Sequence, residues 1–267
     1  MPLADDIKPH IQDAALIALC SPLNPTGTVF KKEELEKICD MVLEENERRP
    51  DEEKKLYVMY DQMYWMLTYG DTVHYNPVSL RPEMKNYTIF IDGISKAFAA
   101  TGVRVGWALG PEHVLAKMKA INSHVGAWSP MAEQHATAKF LSMNNAVDEY
   151  LSNYKNELEE RLQQIYEGFQ ELKSAGFSVD ACAPQAAIYL TIQLNLAGKT
   201  TSQGDLLATQ SDVTSYILDE AKLAVVPFYA FGAPKDSDWY RLSVGTCKKE
   251  EIPAMLGQLR MALEKLT

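Results

Sequence analysis

The chain has 267 residues, of which 46% are hydrophobic, and a formal net charge of −10 at pH 7. Nucleic-acid phosphates bind to basic surfaces, so this charge argues against a nucleic-acid partner. The sequence has no apolar stretch of membrane-spanning length and no signal-peptide pattern, and its four cysteines form no Cys-x-x-Cys pair. We therefore expect a cytoplasmic protein that does not bind membranes.

Short apolar stretches alternate with helical patterns in the first half of the chain. Four buried strands are predicted, at residues 14–20, 56–60, 87–91 and 103–109. Between the first two, Leu35, Ile38, Cys39 and Val42 recur at helical spacing. Strands that alternate with helices predict an α/β layer structure with a largely parallel sheet. The charged stretch 44–55 is predicted to be a solvated loop or a helix end.

The second half has a different pattern, which begins with one long helix predicted at residues 146–175 and ending before Gly176. Short strands are predicted at residues 187–192, 223–227 and 240–244, with helices at 205–222 and 250–266. This pattern predicts a small α+β domain. We expect residues 1–150 to form part of a large domain and residues 151–267 to form the interdomain helix and the small C-terminal domain.

The segment that carries chemistry runs from Asp92 to Trp107. Lys96 follows a predicted buried strand, and strand ends are where ligands bind in α/β sheets. A desolvated lysine amine is nucleophilic and can form a Schiff base with an aldehyde cofactor, while Ser95 and Arg104 are suited to bind a phosphate. A lone lysine is usually a solvated surface charge, so this interpretation depends on the whole segment.

Four motifs resemble the class I/II aminotransferases, which are pyridoxal-5′-phosphate (PLP) enzymes of fold type I and include aspartate aminotransferase. They occur in the family's order: Asn24-Pro25-Thr26-Gly27; Tyr60-Asp61-Gln62-Met63-Tyr64; Ser95-Lys96 with Thr101-Gly102-x-Arg104-x-Gly106-Trp107; and Tyr240-Arg241-Leu242-Ser243. The resemblance covers essentially the whole chain. It implies PLP as cofactor, amino-acid and 2-oxo-acid substrates (aspartate or similar, with 2-oxoglutarate) and a homodimer.

The resemblance also implies how the cofactor is held. Lys96 binds PLP covalently and moves a proton during catalysis, Asp61 pairs with the pyridinium nitrogen, and Tyr64 hydrogen-bonds the phenolic oxygen of the ring. Ser95 and Arg104 bind the phosphate. The implied catalytic residues are therefore Lys96, Asp61 and Tyr64.

Two further residues are implied for the substrate. Arg241 clamps its α-carboxylate, and Asn24 contacts both the substrate and the phenolic oxygen of the cofactor. No metal site is expected.

The chain departs from the family's common pattern at several positions. Many relatives have a serine at the position of Gly93. The small-domain segment that usually reads Pro-x-Gly-Ala-Phe-Tyr is PQAAIY in this chain, at residues 184–189. The segment that usually has Pro-Gly before a Phe-Gly pair is PFYAFG, at residues 227–232. The last two changes lie where the small domain faces the substrate in the family, so we expect them to affect side-chain specificity and not the cofactor chemistry.

In the family, a segment upstream of the first motif supplies a phosphate-binding loop and an aromatic residue that stacks on the ring. We therefore expect this chain to correspond to a C-terminal portion, and to be inactive alone. Two alternatives stay open. One is another fold type I enzyme, such as a β-lyase, a decarboxylase or a cyclopropane-carboxylate synthase. The other is a non-catalytic fragment or the effector-binding module of a regulator. The sequence has no winged-helix DNA-binding segment, which makes the regulator the less favoured of these two.

Overall fold

The structure is a computed structural model that describes residues 1–267. It divides into two compact units. Unit 1 comprises Met1–Leu23 and Thr28–Tyr154, and unit 2 comprises Asn24–Gly27 and Lys155–Thr267. The predicted domain division at residues 150 and 151 stays a prediction.

Unit 1 contains a four-stranded sheet with the order β1-β2-β3-β4. Its strands are β1 (Leu16–Cys20), β2 (Tyr57–Asp61), β3 (Thr88–Gly93) and β4 (Gly106–Leu109). The first three strands are parallel and β4 is antiparallel to β3, so the predicted α/β class with a largely parallel sheet is confirmed. β4 begins three residues later than predicted, because a 3-10 turn at Thr101–Val103 and a left-handed Arg104 precede it.

Five helices complete unit 1 before the long helix. They are α1 (Ala4–Ile7), α2 (Lys32–Arg48), α3 (Pro77–Leu80), α4 (Glu112–Val125) and α5 (Met131–Leu141). The side chains of α2 that recur at helical spacing, Leu35, Ile38, Cys39 and Val42, are buried against the sheet residues Val58 and Tyr60. This apolar face holds α2 in place, as the spacing predicted.

The charged stretch 44–55 is less solvated than we predicted. The helix α2 does end within it, but Glu45, Asn46 and Arg49 are buried. The Arg49 guanidinium donates hydrogen bonds to Glu45 Oε1 at 2.7 Å and to three backbone carbonyls near the start of the chain, those of Ile11, Gln12 and Ala14. A buried arginine needs such partners, and the spacing of charges along one segment does not reveal carbonyls 35 to 38 residues away.

The long helix α6 (Asn144–Ser174) contains the boundary between the two units. Its buried residues in unit 2 recur every three or four positions, at Leu158, Leu162, Ile165, Phe169 and Leu172. None of the helices of the chain combines the length and apolar composition that a membrane crossing requires.

Unit 2 contains an antiparallel sheet with the order β5-β6-β8-β7. Its strands are β5 (Val179–Ala181), β6 (Tyr189–Leu194), β7 (Val226–Pro227) and β8 (Trp239–Ser243), and its further helices are α7 (Gln210–Ala221) and α8 (Ile252–Glu264). The helix α7 begins later than predicted, because Thr209 caps it by accepting a hydrogen bond from the backbone N–H of Asp212.

Candidate active site

The parallel strands of unit 1 end at one edge of the sheet, and two predicted site residues lie there. Asp61 is the last residue of β2, aligned with Cys20 of β1 and Ile91 of β3. Lys96 lies three residues beyond the end of β3. The crevice outside the carboxyl ends of such strands is the usual binding site of α/β sheets.

The Asp61 carboxylate is half-buried and has one hydrogen bond, which Oδ1 accepts from the backbone N–H of Met63 at 3.1 Å. No lysine, arginine or histidine forms an ion pair with it. Tyr64 lies in the turn that follows and is 4% exposed. The strand end thus offers a carboxylate that is suited to a cationic ring nitrogen.

The segment that carries Lys96 is anchored by apolar side chains on both sides of it. Ile94, Ala97 and Phe98 are buried in a cluster with Val105, and the Phe98 ring lies 5.3 Å from that of Phe140. Because these residues turn inwards, Ser95 and Lys96 are left half-buried rather than enclosed.

Thr101 connects the two predicted phosphate ligands. Its hydroxyl donates to the backbone oxygen of Ser95 at 3.1 Å, and its own backbone oxygen accepts from Nη1 of Arg104 at 3.1 Å. Arg104 is exposed and has a left-handed backbone (φ 61), which is uncommon for a residue with a side chain. Strained backbone of this kind often lies at functional sites.

In unit 2, Asn24 and Arg241 are in direct contact. Nη1 of Arg241, on β8, donates a hydrogen bond to Oδ1 of Asn24 at 2.9 Å. The turn that carries Asn24 is held against β6, because the Thr191 hydroxyl donates to the backbone oxygen of Thr26 at 2.9 Å. A Cβ atom at Gly27 would lie 2.6 Å from the backbone oxygen of Tyr189, so this close approach requires glycine.

Two aromatic rings line the guanidinium of Arg241. Its Cζ lies 4.8 Å from the ring centroid of Tyr189 and 4.9 Å from that of Phe231. Nε of Arg241 is buried and has no hydrogen-bond partner. A buried unpaired donor is costly, and a planar fork with a free donor is suited to bind a carboxylate.

Comparison with known proteins agrees with this geometry. The model of the family described as "Aminotransferase class I and II" matches residues 2–259. The chain belongs to this family.

Similar proteins include the bifunctional aspartate aminotransferase and glutamate/aspartate-prephenate aminotransferase of Petunia hybrida, which is 30% identical over 96% of this chain and 48% of its own length. The aspartate aminotransferase of Bacillus sp. (strain YM-2) is 31% identical over 86% of this chain and 54% of its own length. The crystal structure of the aspartate aminotransferase from Rhizobium meliloti superposes with a TM-score of 0.86 at 26% identity, covering 100% of this chain and 62% of that one. The chain thus spans about half the length of the curated relatives that it matches.

Class I/II aminotransferases depend on PLP, and the chemistry of the donor set in this chain fits that cofactor. Unit 1 supplies a carboxylate, a phenol, an amine, a hydroxyl and a guanidinium, from Asp61, Tyr64, Lys96, Ser95 and Arg104. Unit 2 supplies Asn24 and Arg241. The structure thus places the seven predicted residues in two groups, one in each unit, and their individual roles stay predictions.

The structure explains why position 93 has a glycine and not the serine of many aminotransferases. A Cβ atom there would lie 2.9 Å from both Cα of Gly106 and the backbone oxygen of Val105. Gly93 and Gly106 are partners in the β3–β4 pair. The two strands approach so closely at this point that a serine does not fit without a backbone shift.

The departures in unit 2 have two different consequences. Ala186, at a position where aminotransferases of this type usually have glycine, is not among the residues with a positive φ, so its side chain is accommodated. Phe228, which replaces the glycine of the usual Pro-Gly, packs edge-on against Phe231 at 6.4 Å. It thereby extends the aromatic surface beside Arg241.

Asp92 and Trp65 had no predicted role. Asp92 is a buried acid within an otherwise apolar strand, at 7% exposed, and Oδ2 accepts a hydrogen bond from the indole N–H of Trp65 at 2.8 Å. The predicted strand ended at residue 91, so Asp92 was expected beyond it. The structure extends β3 to Gly93 and thereby places this acid inside the strand, where it requires a partner.

Proposed function

We propose that the chain carries the cofactor-binding lysine and the carboxylate-binding arginine of a PLP-dependent aminotransferase. The reaction moves an amino group between an amino acid, aspartate or a similar one, and a 2-oxo acid such as 2-oxoglutarate. The observation that carries the proposal is the Arg241 fork, which is oriented by Asn24 and has an unpaired buried Nε. Every amino acid and 2-oxo acid has a carboxylate that such a fork binds in a bidentate manner.

The residues of unit 1 are proposed to hold the cofactor, which when bound supplies a ring that withdraws electrons from the substrate's α-carbon. Asp61 keeps a proton on the ring nitrogen, and Tyr64 donates a hydrogen bond to the phenolic oxygen. Ser95 and Arg104 hold the phosphate. The Lys96 amine takes up and returns the proton of the α-carbon.

From its sequence, the chain was predicted to be inactive alone. Because seven of the implied site residues are present, we further propose that these 267 residues by themselves form an active centre of low efficiency. The relatives have about as much chain again that this sequence does not match. In unit 1, Leu16 on β1 and Leu109 on β4 lie on the two outer strands of the sheet and are 49% and 57% exposed. Uncovered sheet edges with apolar side chains favour association with further polypeptide.

The proposal is tested with the purified chain, PLP, 15N-labelled aspartate and 2-oxoglutarate, at protein concentrations high enough to detect slow turnover. We expect the label to appear in glutamate and not in ammonia, at a rate well below that of complete aminotransferases. The transfer should be lost in Lys96→Ala and kept in Lys117→Ala, a change in the outer helix α4.

Release of labelled ammonia in step with aspartate loss would instead indicate an elimination reaction and contradict the aminotransferase proposal. Transfer at the full rate of the complete enzymes would contradict the proposal of an inefficient centre while supporting the reaction type.

A further inference from the structure

The carboxylate of Asp92, in unit 1, accepts three hydrogen bonds. Oδ1 accepts from the backbone N–H of Gly93 at 2.7 Å. Oδ2 accepts from Nε1 of Trp65 at 2.8 Å and from Nε2 of Gln62 at 3.5 Å. The side chain has no cationic partner, so these three donors are what compensates its burial.

The donors come from the two segments that carry the proposed cofactor-binding residues. Both Gln62 and Trp65 belong to the turn that follows β2. Gln62 directly follows Asp61, and Trp65 directly follows Tyr64. Gly93 begins the segment that leads to Lys96. Asp92 itself lies one position beyond Ile91, the β3 residue aligned with Asp61. One carboxylate therefore connects both segments where they leave the sheet.

The chemistry of this contact makes it stronger than ordinary loop packing. Hydrogen bonds to an ionised carboxylate are shorter and stronger than those between neutral groups. Burial raises the pKa of Asp92, while the bonds from Gly93, Trp65 and Gln62 act in the opposite direction. If one donor is lost, the remaining carboxylate stays buried with less compensation, so the connection depends on the complete set.

We infer that Asp92 is a positioning residue of the proposed active centre: its carboxylate fixes the turn that carries Asp61 and Tyr64 relative to the segment that carries Lys96. The consequence for PLP binding rests on the proposed function. The fixing of the two segments is independent of the proposed function, because it is a property of the chain without cofactor.

The test compares Asp92→Asn, Trp65→Phe and the double variant. An asparagine retains one acceptor oxygen, but its amide nitrogen must face either the indole N–H or the backbone N–H of Gly93, and both are donors. Phenylalanine at position 65 removes the indole donor and keeps a ring, so in the double variant the amide nitrogen no longer faces a donor there.

The first measurement is hydrogen exchange on the cofactor-free chain. For Asp92→Asn we expect roughly tenfold or greater acceleration in peptides that cover residues 62–67 and 93–99, because a charge-assisted hydrogen bond is lost. The double variant should exchange more slowly than Asp92→Asn in both segments. Asp180→Asn is the control, since that carboxylate in unit 2 also accepts from the following backbone N–H (Ala181, 2.8 Å) and from a glutamine (Gln170, 3.0 Å), and it differs from Asp92 in its ion pair with Lys173 (2.6 Å). It should leave both segments unchanged.

The second measurement is the PLP concentration that gives half-maximal borohydride-trapped label on Lys96. It should rise in Asp92→Asn and fall back in the double variant. Wild-type exchange in both segments of Asp92→Asn, or acceleration across all of unit 1 without rescue in the double variant, would overturn the inference. If the wild-type chain were labelled on a different lysine, the proposed function would fail, and the exchange measurement would still decide the role of Asp92.

Discussion

Arg241 and Asn24 are 217 residues apart in the sequence and are joined in unit 2 by a hydrogen bond of 2.9 Å from Nη1 to Oδ1. This pair brings together the first and the last of the four motifs. One Nη group of the fork is oriented by the asparagine, and the buried Nε has no hydrogen-bond partner. The contact gives a physical reason for two motifs that are separated by most of the chain.

Replacing Arg241 by lysine tests this pair. Arg241→Lys keeps the positive charge but loses the planar fork, so the apparent KM for the amino acid should rise roughly tenfold or more and kcat should fall. The matched control is Arg260→Lys, because the Arg260 guanidinium also lies over an aromatic ring, that of Phe177 at 5.7 Å. Steady-state kinetics with aspartate as the amino donor measure KM and kcat for both variants. An unchanged KM in Arg241→Lys would mean that another group holds the carboxylate.

The buried Arg49 is expected to be a main determinant of the stability of unit 1. Arg49→Leu leaves the backbone oxygens of Ile11, Gln12 and Ala14 without their donor, and breaking a buried ion pair costs about 3–5 kcal/mol. Hydrogen bonds from Arg48 and then from Arg49 lower the pKa of Glu45 to about 2, so this carboxylate is charged at neutral pH.

Urea denaturation followed by tryptophan fluorescence measures the effect of Arg49→Leu. The control is Arg48→Leu, which removes the other partner of Glu45, a side chain that is 55% exposed, and should cost much less. Equal losses in the two variants would show that burial of Arg49 is not the cause.

Much of this architecture was predictable from the sequence, because its signals are local. The apolar spacing in α2 and α6 and the apolar stretches of β2 and β3 each lie within one element, and their buried faces were predicted correctly. The prediction that β1 is buried was wrong, because β1 is an outer strand in which only Leu19 is buried and Leu16 is 49% exposed. The division of the site residues between two units was not predictable, because the contacts that group Asn24 with unit 2 are with residues far away in the sequence, such as Arg241. The burial of Arg49 was missed for the same reason, since its partners are distant carbonyls that no side-chain pattern encodes.

The close approach of β3 and β4 predicts an effect of Gly93→Ser. The new Cβ would lie 2.9 Å from Cα of Gly106, so one of the two strands must shift, at a cost on the order of 1–3 kcal/mol. Gly102→Ser is the control, because a Cβ at Gly102 meets no atom within 4 Å. Thermal unfolding should show a lower Tm for Gly93→Ser and little change for Gly102→Ser. Equal Tm values for Gly93→Ser and the wild type would mean that the strands are further apart than described.

His74 predicts a pH dependence of stability. Its ring lies 6.0 Å from that of Tyr60 and 6.3 Å from that of Trp65, neither ring nitrogen has a hydrogen-bond partner, and burial lowers its pKa from 6.5 to about 4. Between these two values the unfolded chain binds a proton that the folded chain does not. The free energy of unfolding should therefore fall as the pH falls from 6.5 to 4, by up to about 3 kcal/mol from this residue.

The variant His74→Phe keeps a flat ring and removes the titrating group, so the loss of stability between pH 6.5 and 4 should be smaller than in the wild type. Replacing the exposed His124 by phenylalanine should leave the pH dependence nearly unchanged. Urea denaturation at several pH values measures both variants. A wild-type pH dependence in His74→Phe would show that other groups cause the acid sensitivity.

Above all, we propose that Lys96 is the lysine that binds PLP. The most direct measurement is to incubate the protein with PLP, reduce it with borohydride and map the labelled peptide by mass spectrometry. We expect the pyridoxyl group on Lys96, and none on the same peptide in Lys96→Ala. A pyridoxyl group on another lysine, with Lys96 unmodified, would contradict the account.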